Sequence, residues 1–423
     1  MNLTLRSAVL SVAMLSPLCA GVCHAEESTK KLFSKNQLTD KFYSEGATIG
    51  DFNKDGKPDV AIGGFWYEGP EMKVRHQYAA EEAMTKEYDP NKYSENFLMY
   101  TRDVNSDGWQ DIIVCGFPGK ETLWYENPQG KAENWVRHVA LKVTDNESPQ
   151  VVDLFKDGKP ALICMSGGTL GYAVPDASDF KKEWIWHPTS PKIATYQRFT
   201  HGIGFGDVNG DGRNDLLDKD GWYEQPEKLD GDPIWKKHAF KFAPNAAQMY
   251  VYDVNGDGKN DVITSIDCHG YGLVWYEQKK SEAGEIAFEK HVILGETPSD
   301  SAYNINFSQM HGIAMADMFG DGLLSIVTGK RYWAHGPKGD KEPAAPAVLY
   351  VFRLVRGTNG AVDWVPYKVD DNSGVGTQVT VGNIFGGKHP DILVGNKKGG
   401  FVFTSQIEKM SKVEVEALST KKK

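Results

Sequence analysis

The sequence predicts an all-β fold: a seven-bladed β-propeller with four antiparallel strands per blade, its ring closed by the N- and C-terminal strands. Three observations predict it. A short acidic turn recurs along most of the 423 residues, as in "VYDVNGDGKNDVITS". Each turn is flanked by short alternating apolar segments, the period of a strand rather than a helix. An aromatic segment then follows, written Trp-Tyr-Glu at residues 66–68, 124–126, 222–224 and 275–277. With 44 glycines and 18 tyrosines, the composition suits a β protein rich in turns.

Taking the first polar residue of each turn as a marker gives Asp51, Asp103, Asp153, Asp207, Asp253, Asp317 and Asn383, spaced 46 to 66 residues apart. That is the spacing of propeller blades, and a single blade cannot bury both of its faces without neighbours. The first strand leads into the turn and the second leaves it ("DVAIGG", "DIIVCG", "DVITS", "DILVGN"). The aromatic segment is the third strand. A fourth carries an aromatic three residues before a histidine: Trp135 and His138, Trp184 and His187, Trp235 and His238, Phe288 and His291. The seventh unit stops after its third strand, and "KNQLTDKF" near the N-terminus is expected to supply the fourth. The domain then covers residues 32–406, followed by a charged tail, 407–423.

Residues 1–25 read as a signal peptide. Arg6 precedes the apolar run "AVLSVAMLSPLCAGV", and "CHA" stands before Glu26. A secreted or periplasmic protein is expected, with no membrane span elsewhere. Past the signal, Cys115, Cys164 and Cys268 are an odd number at unrelated positions, which argues for core thiols rather than a disulfide framework. A net charge of −10 without a basic stripe makes nucleic acid an improbable partner.

Four of the turns carry a complete set of oxygen side chains: Asp51/Asn53/Asp55/Asp59, Asp103/Asn105/Asp107/Asp111, Asp207/Asn209/Asp211/Asp215 and Asp253/Asn255/Asp257/Asp261. Oxygens at alternate positions followed by glycine suit Ca2+, which takes several hard ligands in a tight loop. The third, sixth and seventh turns lack members of the set, at Phe155 and Ala161, Phe319 and Ser325, and Gly387. Such turns fold through Asx-type hydrogen bonds to their own backbone, so a metal-free structural role stands beside calcium.

These "D-x-N-x-D-G-x-x-D" turns resemble FG-GAP or VCBS-type repeats, also found in the propellers of integrin α subunits. In the later half, "HGIGFGDVNGDGRNDLL", "HGYGLVWYEQ", "FSQMHGIAMADMFGDG" and "GKRYWAHGP" resemble the propeller domain of aldos-2-ulose dehydratase. That resemblance implies elimination of water from a keto-sugar such as 1,5-anhydrofructose. The fungal enzymes carry cupin domains and nothing here resembles one, so a separate cupin or glycan-processing partner is an open expectation.

In a blade the residue six positions before the marker lies at the channel mouth opposite the turns. Those residues are Glu45, Phe97, Glu147, His201, Ala247, His311 and Thr377. Two histidines and two glutamates therefore share one register, a donor set for a Zn2+- or Mn2+-type ion. The loops between second and third strands open at the same rim. They bring Asp218 and Asp220, then Asp267, His269 and Tyr271, then Lys330, Arg331, Tyr332 and His335. A metal-polarised carbonyl acidifies the neighbouring carbon. A histidine or tyrosine then removes the proton, and Lys330 or Arg331 offsets the enolate charge. His76, His138, His187, His238 and His291 recur at one blade position and read as structural. The sequence thus predicts an exported metal-assisted carbohydrate lyase acting on a keto-sugar or a 3-keto-glycoside. The alternative is a non-catalytic, calcium-stabilised propeller that binds a glycan or protein partner.

Overall fold

The computed structural model describes residues 29–131, 134–357 and 360–409; the expected signal peptide and most of the charged tail lie outside them. The chain is all-β. Its helical elements are short, among them a turn at Glu82–Thr85 and a 3-10 turn at Pro298–Asp300. No described helix is long and apolar enough to cross a membrane.

The strands run in chain order as antiparallel groups of four. The first group is β2 (Ala47–Gly50), β3 (Asp59–Ile62), β4 (Phe65–Tyr67) and β5 (Arg75–Gln77). The second and third share β9 (Val136–Val152), whose 17 residues form the outer strand of one group and the first of the next. They make one seven-stranded sheet with β6 (Leu98–Arg102), β7 (Asp111–Cys115), β8 (Lys120–Glu126), β10 (Ala161–Ser166), β11 (Thr169–Val174) and β12 (Ile185–Pro188). The fourth group is β13 (Ile203–Gly206), β14 (Asp215–Asp218), β15 (Gly221–Glu224) and β16 (Lys236–Ala239). The fifth is β17 (Gln248–Tyr252), β18 (Asp261–Ser265), β19 (Leu273–Lys280) and β20 (Ile286–Leu294). These two fuse because β13 and β17 pair in parallel. Gly204 permits that: a Cβ there would sit 2.3 Å from the Met249 carbonyl oxygen. The sixth is β21 (Ile313–Ala316), β22 (Ser325–Gly329), β23 (Leu349–Arg356) and β24 (Val362–Asp370). In the last sheet β1 (Thr29–Thr39) pairs with β27 (Gly399–Lys409), outside β26 (Asp391–Asn396) and β25 (Thr380–Gly382).

Second strands are buried on both faces, so they read as continuous apolar runs such as Asp111-Ile-Ile-Val-Cys115. Cys115, Cys164 and Cys268 are free and buried. First strands touch one another across groups. Thr48 bonds Thr101 (2.9 Å), Tyr100 donates to the Pro149 carbonyl (2.8 Å) and Gln150 to that of Ile203 (2.9 Å). Tyr250 donates to the Ile313 carbonyl (2.8 Å) and Thr380 to that of Ala47 (2.7 Å).

The acidic turns that begin with aspartate keep one pattern whether or not the set is complete, while Asn383 in the seventh donates to the Gly387 carbonyl instead. In the first, Asp51 accepts the Asp55 and Gly56 amides, and Asn53 also accepts that of Asp55. Asp103, Asp207 and Asp253 accept the equivalent amides in the other complete turns. Asp153 and Asp317 do so in turns that lack ligand-type residues. The ninth residue binds backbone through both oxygens: Asp59 accepts Phe52 and Gly69, and Asp111 accepts Val104 and Asn127. Asp215 and Asp261 repeat this. Burial pushes these carboxyls up, Asp59 to about 6 and Asp111 to about 8.

The middle residues of three complete sets, expected as calcium ligands, also contact other protein groups. In the second turn the Asn105 amide group donates to Asp107 Oδ2 (3.1 Å) and to Glu126 (3.4 Å), and Asp107 also accepts from Gln129 (3.0 Å). In the fourth, Asn209 donates to Asp211 Oδ2 (3.1 Å), and the same oxygen is paired with the Arg213 guanidinium. In the fifth, Asn255 donates to Glu277 (2.9 Å), while Asp257 pairs with Lys259 (2.6 Å). The remaining oxygens of Asn105, Asn209 and Asn255 accept the amides of Asp107, Asp211 and Asp257. Asn105, Asp107, Asn209, Asp211 and Asn255 therefore brace their turns through these hydrogen bonds. The reason is electrostatic: clustered carboxylates draw in the nearest N–H groups and cations, which residue spacing alone does not reveal.

Candidate functional site

The segments entering the first strands are held to one another by backbone hydrogen bonds. The Glu45 amide donates to the Asn96 carbonyl, that of Glu147 to Thr200, and that of Thr377 to Glu45. Gln309 does more. Its amide donates to the Gly270 carbonyl, its own carbonyl accepts the His311 and Arg331 amides, and its side chain donates to the His269 carbonyl (3.1 Å). One residue thus fixes three expected site residues, although nothing in its type signals that.

Four side chains meet at the centre of this arrangement. His201 Nε2 is 3.0 Å from His269 Nε2 and 3.4 Å from Glu147 Oε2, which lies 3.3 Å from His311 Nε2. The three imidazole centroids are 4.9 to 5.3 Å apart. His311 Nδ1 and His269 Nδ1 have no hydrogen-bond partner, and His311 Nε2 has only the approach of Glu147, though both side chains are largely or wholly buried. Buried polar atoms are rarely left so. Burial holds His311 well below the usual imidazole range, with the Arg331 charge adding to it. Burial also takes His269 down to about 4, helped by His201. Burial alone would raise Glu147, yet the contacts from His201 and His311 outweigh it and hold its carboxyl well below the ordinary carboxylate range.

Three contacts within this cluster lie near the spacing of donors around a transition-metal ion. Metal–nitrogen distances of ~2.05 Å imply donor–donor edges of about 3.3 Å, against 3.0, 3.4 and 3.3 Å here. Cys268 Sγ also falls within 4.8 Å of the three histidine donor atoms. Burial holds that thiol well above its ordinary range, and Glu147 approaches His201 and His311 from the other side of the cluster. Glu45, expected among the metal donors, instead accepts from Arg331 Nε (2.8 Å) as a buried pair, with Lys397 Nζ at 4.0 Å.

An open cleft of about 380 Å³ leads to the cluster, lined by Glu147, His201, His269, Arg331 and His335 and by four aromatic rings. His335 stands half-exposed in it, with Nδ1 2.6 Å from Asp340 Oδ1. The same oxygen is 3.8 Å from His269 Nδ1. Asp340 and the aromatic wall were missed by the sequence reading. Asp340 sits in a long loop with no repeat register, and of the four rings only Phe97 shares the histidine register.

Other expected residues lie elsewhere. Lys330 is buried and donates to Ser308 Oγ (2.5 Å) and the Lys341 carbonyl (3.2 Å); burial lowers its ammonium to about 8. Tyr332 stacks on Trp333 at 4.6 Å. Tyr271 hydrogen-bonds Glu342. Asp218 accepts from Tyr196 and Tyr223 inside the core. None of these lines the cleft.

No family model and no curated protein matches the chain. Solved structures similar to it include a protein from Lactobacillus plantarum, at 8% identity over 79% of this chain and 86% of that one, TM-score 0.44. Another is the V. cholerae biofilm matrix protein Bap1, at 9% identity over 93% and 90%, TM-score 0.40. A third is a putative 6-phosphogluconolactonase from Bacteroides uniformis, at 11% identity over 91% and 93%, TM-score 0.42.

Proposed function

We propose that the chain is an exported carbohydrate lyase, built as a closed seven-bladed propeller over residues 32–406, whose central cleft holds a transition-metal ion. The circuit of contacts between first strands, and the pairing of β1 with β27, support the closed ring. The observation that carries the activity is the set of donor edges joining His201, His269, His311 and Glu147. Three imidazoles and one carboxylate favour Zn2+ or Mn2+ over Ca2+. Ca2+ entering the complete turns would have to displace contacts such as Arg213 on Asp211 and Lys259 on Asp257. It would add stability rather than shape, since incomplete turns fold with the same hydrogen bonds.

When bound, the cleft ion would polarise a sugar carbonyl and acidify the adjacent carbon. His335 is the base in this reading: Asp340 holds its Nδ1–H, which leaves Nε2 to take the proton from that carbon. The electron pair forms the carbon–carbon double bond as the β-oxygen leaves, and the His335 proton passes to that oxygen. Arg331, with Nη2 buried and without a partner, can donate to substrate oxygen. The products are an enone and water or an alcohol.

Element analysis of the purified protein should find about one Zn or Mn per chain, lost in a His201→Ala/His311→Ala variant. The metal-loaded protein should convert 1,5-anhydrofructose or a 3-keto-glycoside to an ultraviolet-absorbing enone. A metal-loaded protein that forms no enone from any of several keto-sugars would leave the second reading, a glycan-binding propeller. That reading gains from the apolar cleft wall and requires binding to survive the double substitution.

A further inference from the structure

Beside the metal donors the cleft has a wall that elimination from a small keto-sugar does not need. Tyr93, Phe97, Phe117 and Phe199 form one continuous aromatic surface. Ring centroids are 5.2 Å apart for Tyr93–Phe117, 5.5 Å for Phe97–Phe117 and 5.8 Å for Phe117–Phe199, in tilted or edge-to-face contacts. The wall begins beside the site's own charges, since Arg331 lies over the Phe97 ring at 5.3 Å. It ends at Phe199, which is 40% exposed. A lone pyranose has hydroxyls around its whole rim and C–H faces enough for one or two rings. Four contiguous rings in a cleft of about 380 Å³ suit a ligand with a second, flat, apolar part.

We infer that this wall is a leaving-group subsite for an aromatic aglycone, so that the preferred substrates are aryl glycosides rather than free sugars. The inference rests on the proposed function for the sugar's position, with the sugar at the imidazoles and the aglycone along Phe97, Phe117 and Phe199. It adds no chemical step: the β-oxygen that departs belongs to a phenol instead of water.

Binding of unoxidised glycosides tests this without any turnover. Phenyl β-D-glucopyranoside and methyl β-D-glucopyranoside would be titrated calorimetrically against the full-length protein, with and without chelator. The phenyl compound should bind roughly tenfold or more tighter, the gain expected of one buried aromatic contact surface. Phe199→Ala, at an exposed position, should shrink that ratio several-fold, and Phe199→Ala/Phe117→Ala should bring it near one, with melting temperature confirming folding. Equal affinity for the two glycosides, no binding of either, or a ratio unchanged in Phe199→Ala overturns the subsite. Absence of metal or of enone with the ratio intact instead overturns the lyase and leaves an aryl-glycoside binding site.

Discussion

The histidines of the strands and those of the central cleft are the same residue put to opposite uses. In the strands, Trp222 and His238 face each other across β15 and β16, rings 3.9 Å apart and 5° from parallel, while Glu224 accepts from His238 at 2.8 Å. Glu224 is two residues beyond Trp222, hence on the same face. Trp66/His76/Glu68, Trp124/His138/Glu126 and Trp275/His291/Glu277 repeat this. His187 stacks on Tyr172 and turns to Asp232 instead. In the cleft, His311 has no stack on a tryptophan, its Nδ1 has no partner, and its Nε2 meets only Glu147 at 3.3 Å. Most of the strand histidines are satisfied within their own sheet, whereas the cleft histidines meet one another and leave Nδ1 of His269 and His311 without a hydrogen bond.

That contrast can be broken most severely at the buried pair beneath the cleft. Arg331→Met leaves Glu45 buried with only Lys397 at 4.0 Å, and urea unfolding should show a loss of roughly 3–5 kcal/mol. Next is pH. Below 6.5 the unfolded chain protonates its residue 269 imidazole, while the folded chain resists until about 4. Stability is therefore complete above pH 6.5 and is lost as pH falls from 6.5 toward 4, by on the order of 3 kcal/mol in the metal-free protein. Melting scans across that range should lose this slope in His269→Phe. Ionised Glu147 adds a further loss only below the ordinary carboxylate range.

The sharpest comparison uses one substitution in the cleft and in the strands. His311→Leu removes one unpartnered buried nitrogen but also one of the two imidazoles beside the buried Glu147 carboxylate, so the metal-free protein should change little in stability while the stabilisation by added Zn2+ disappears. His238→Leu should instead lose about 0.5–1 kcal/mol, since it removes a half-exposed cross-strand stack and ion pair, and leave the response to Zn2+ intact. Equal effects of the two variants in chemical denaturation would erase the distinction.

The strands were legible in the sequence because their causes are local. Alternating apolar residues, the Asp-x-Asn-x-Asp-Gly turn and the Trp-x-Glu pair act within a few residues, and each recurs in register. Counting six positions back from Asp153, Asp207 and Asp317 reached Glu147, His201 and His311, which the structure brings together. The same rule reached Glu45 and could not tell that Arg331 holds it. Nor did the turn motif tell that Asn255 reaches Glu277 on the third strand, 22 residues away. Lys330, Tyr271 and Tyr332 sit in loops without a repeat, where type alone says nothing of direction. Gln309, Asp340, Lys397 and the aromatic wall were invisible for the same reason: each owes its role to contacts between distant groups of strands. By itself the sequence determined the repeating unit and which positions face inward, through sterics and burial that operate over short stretches. Only the tertiary structure decided which inward side chains meet, because donor atoms near 3.3 Å apart are placed by packing between units rather than by any residue's own preference.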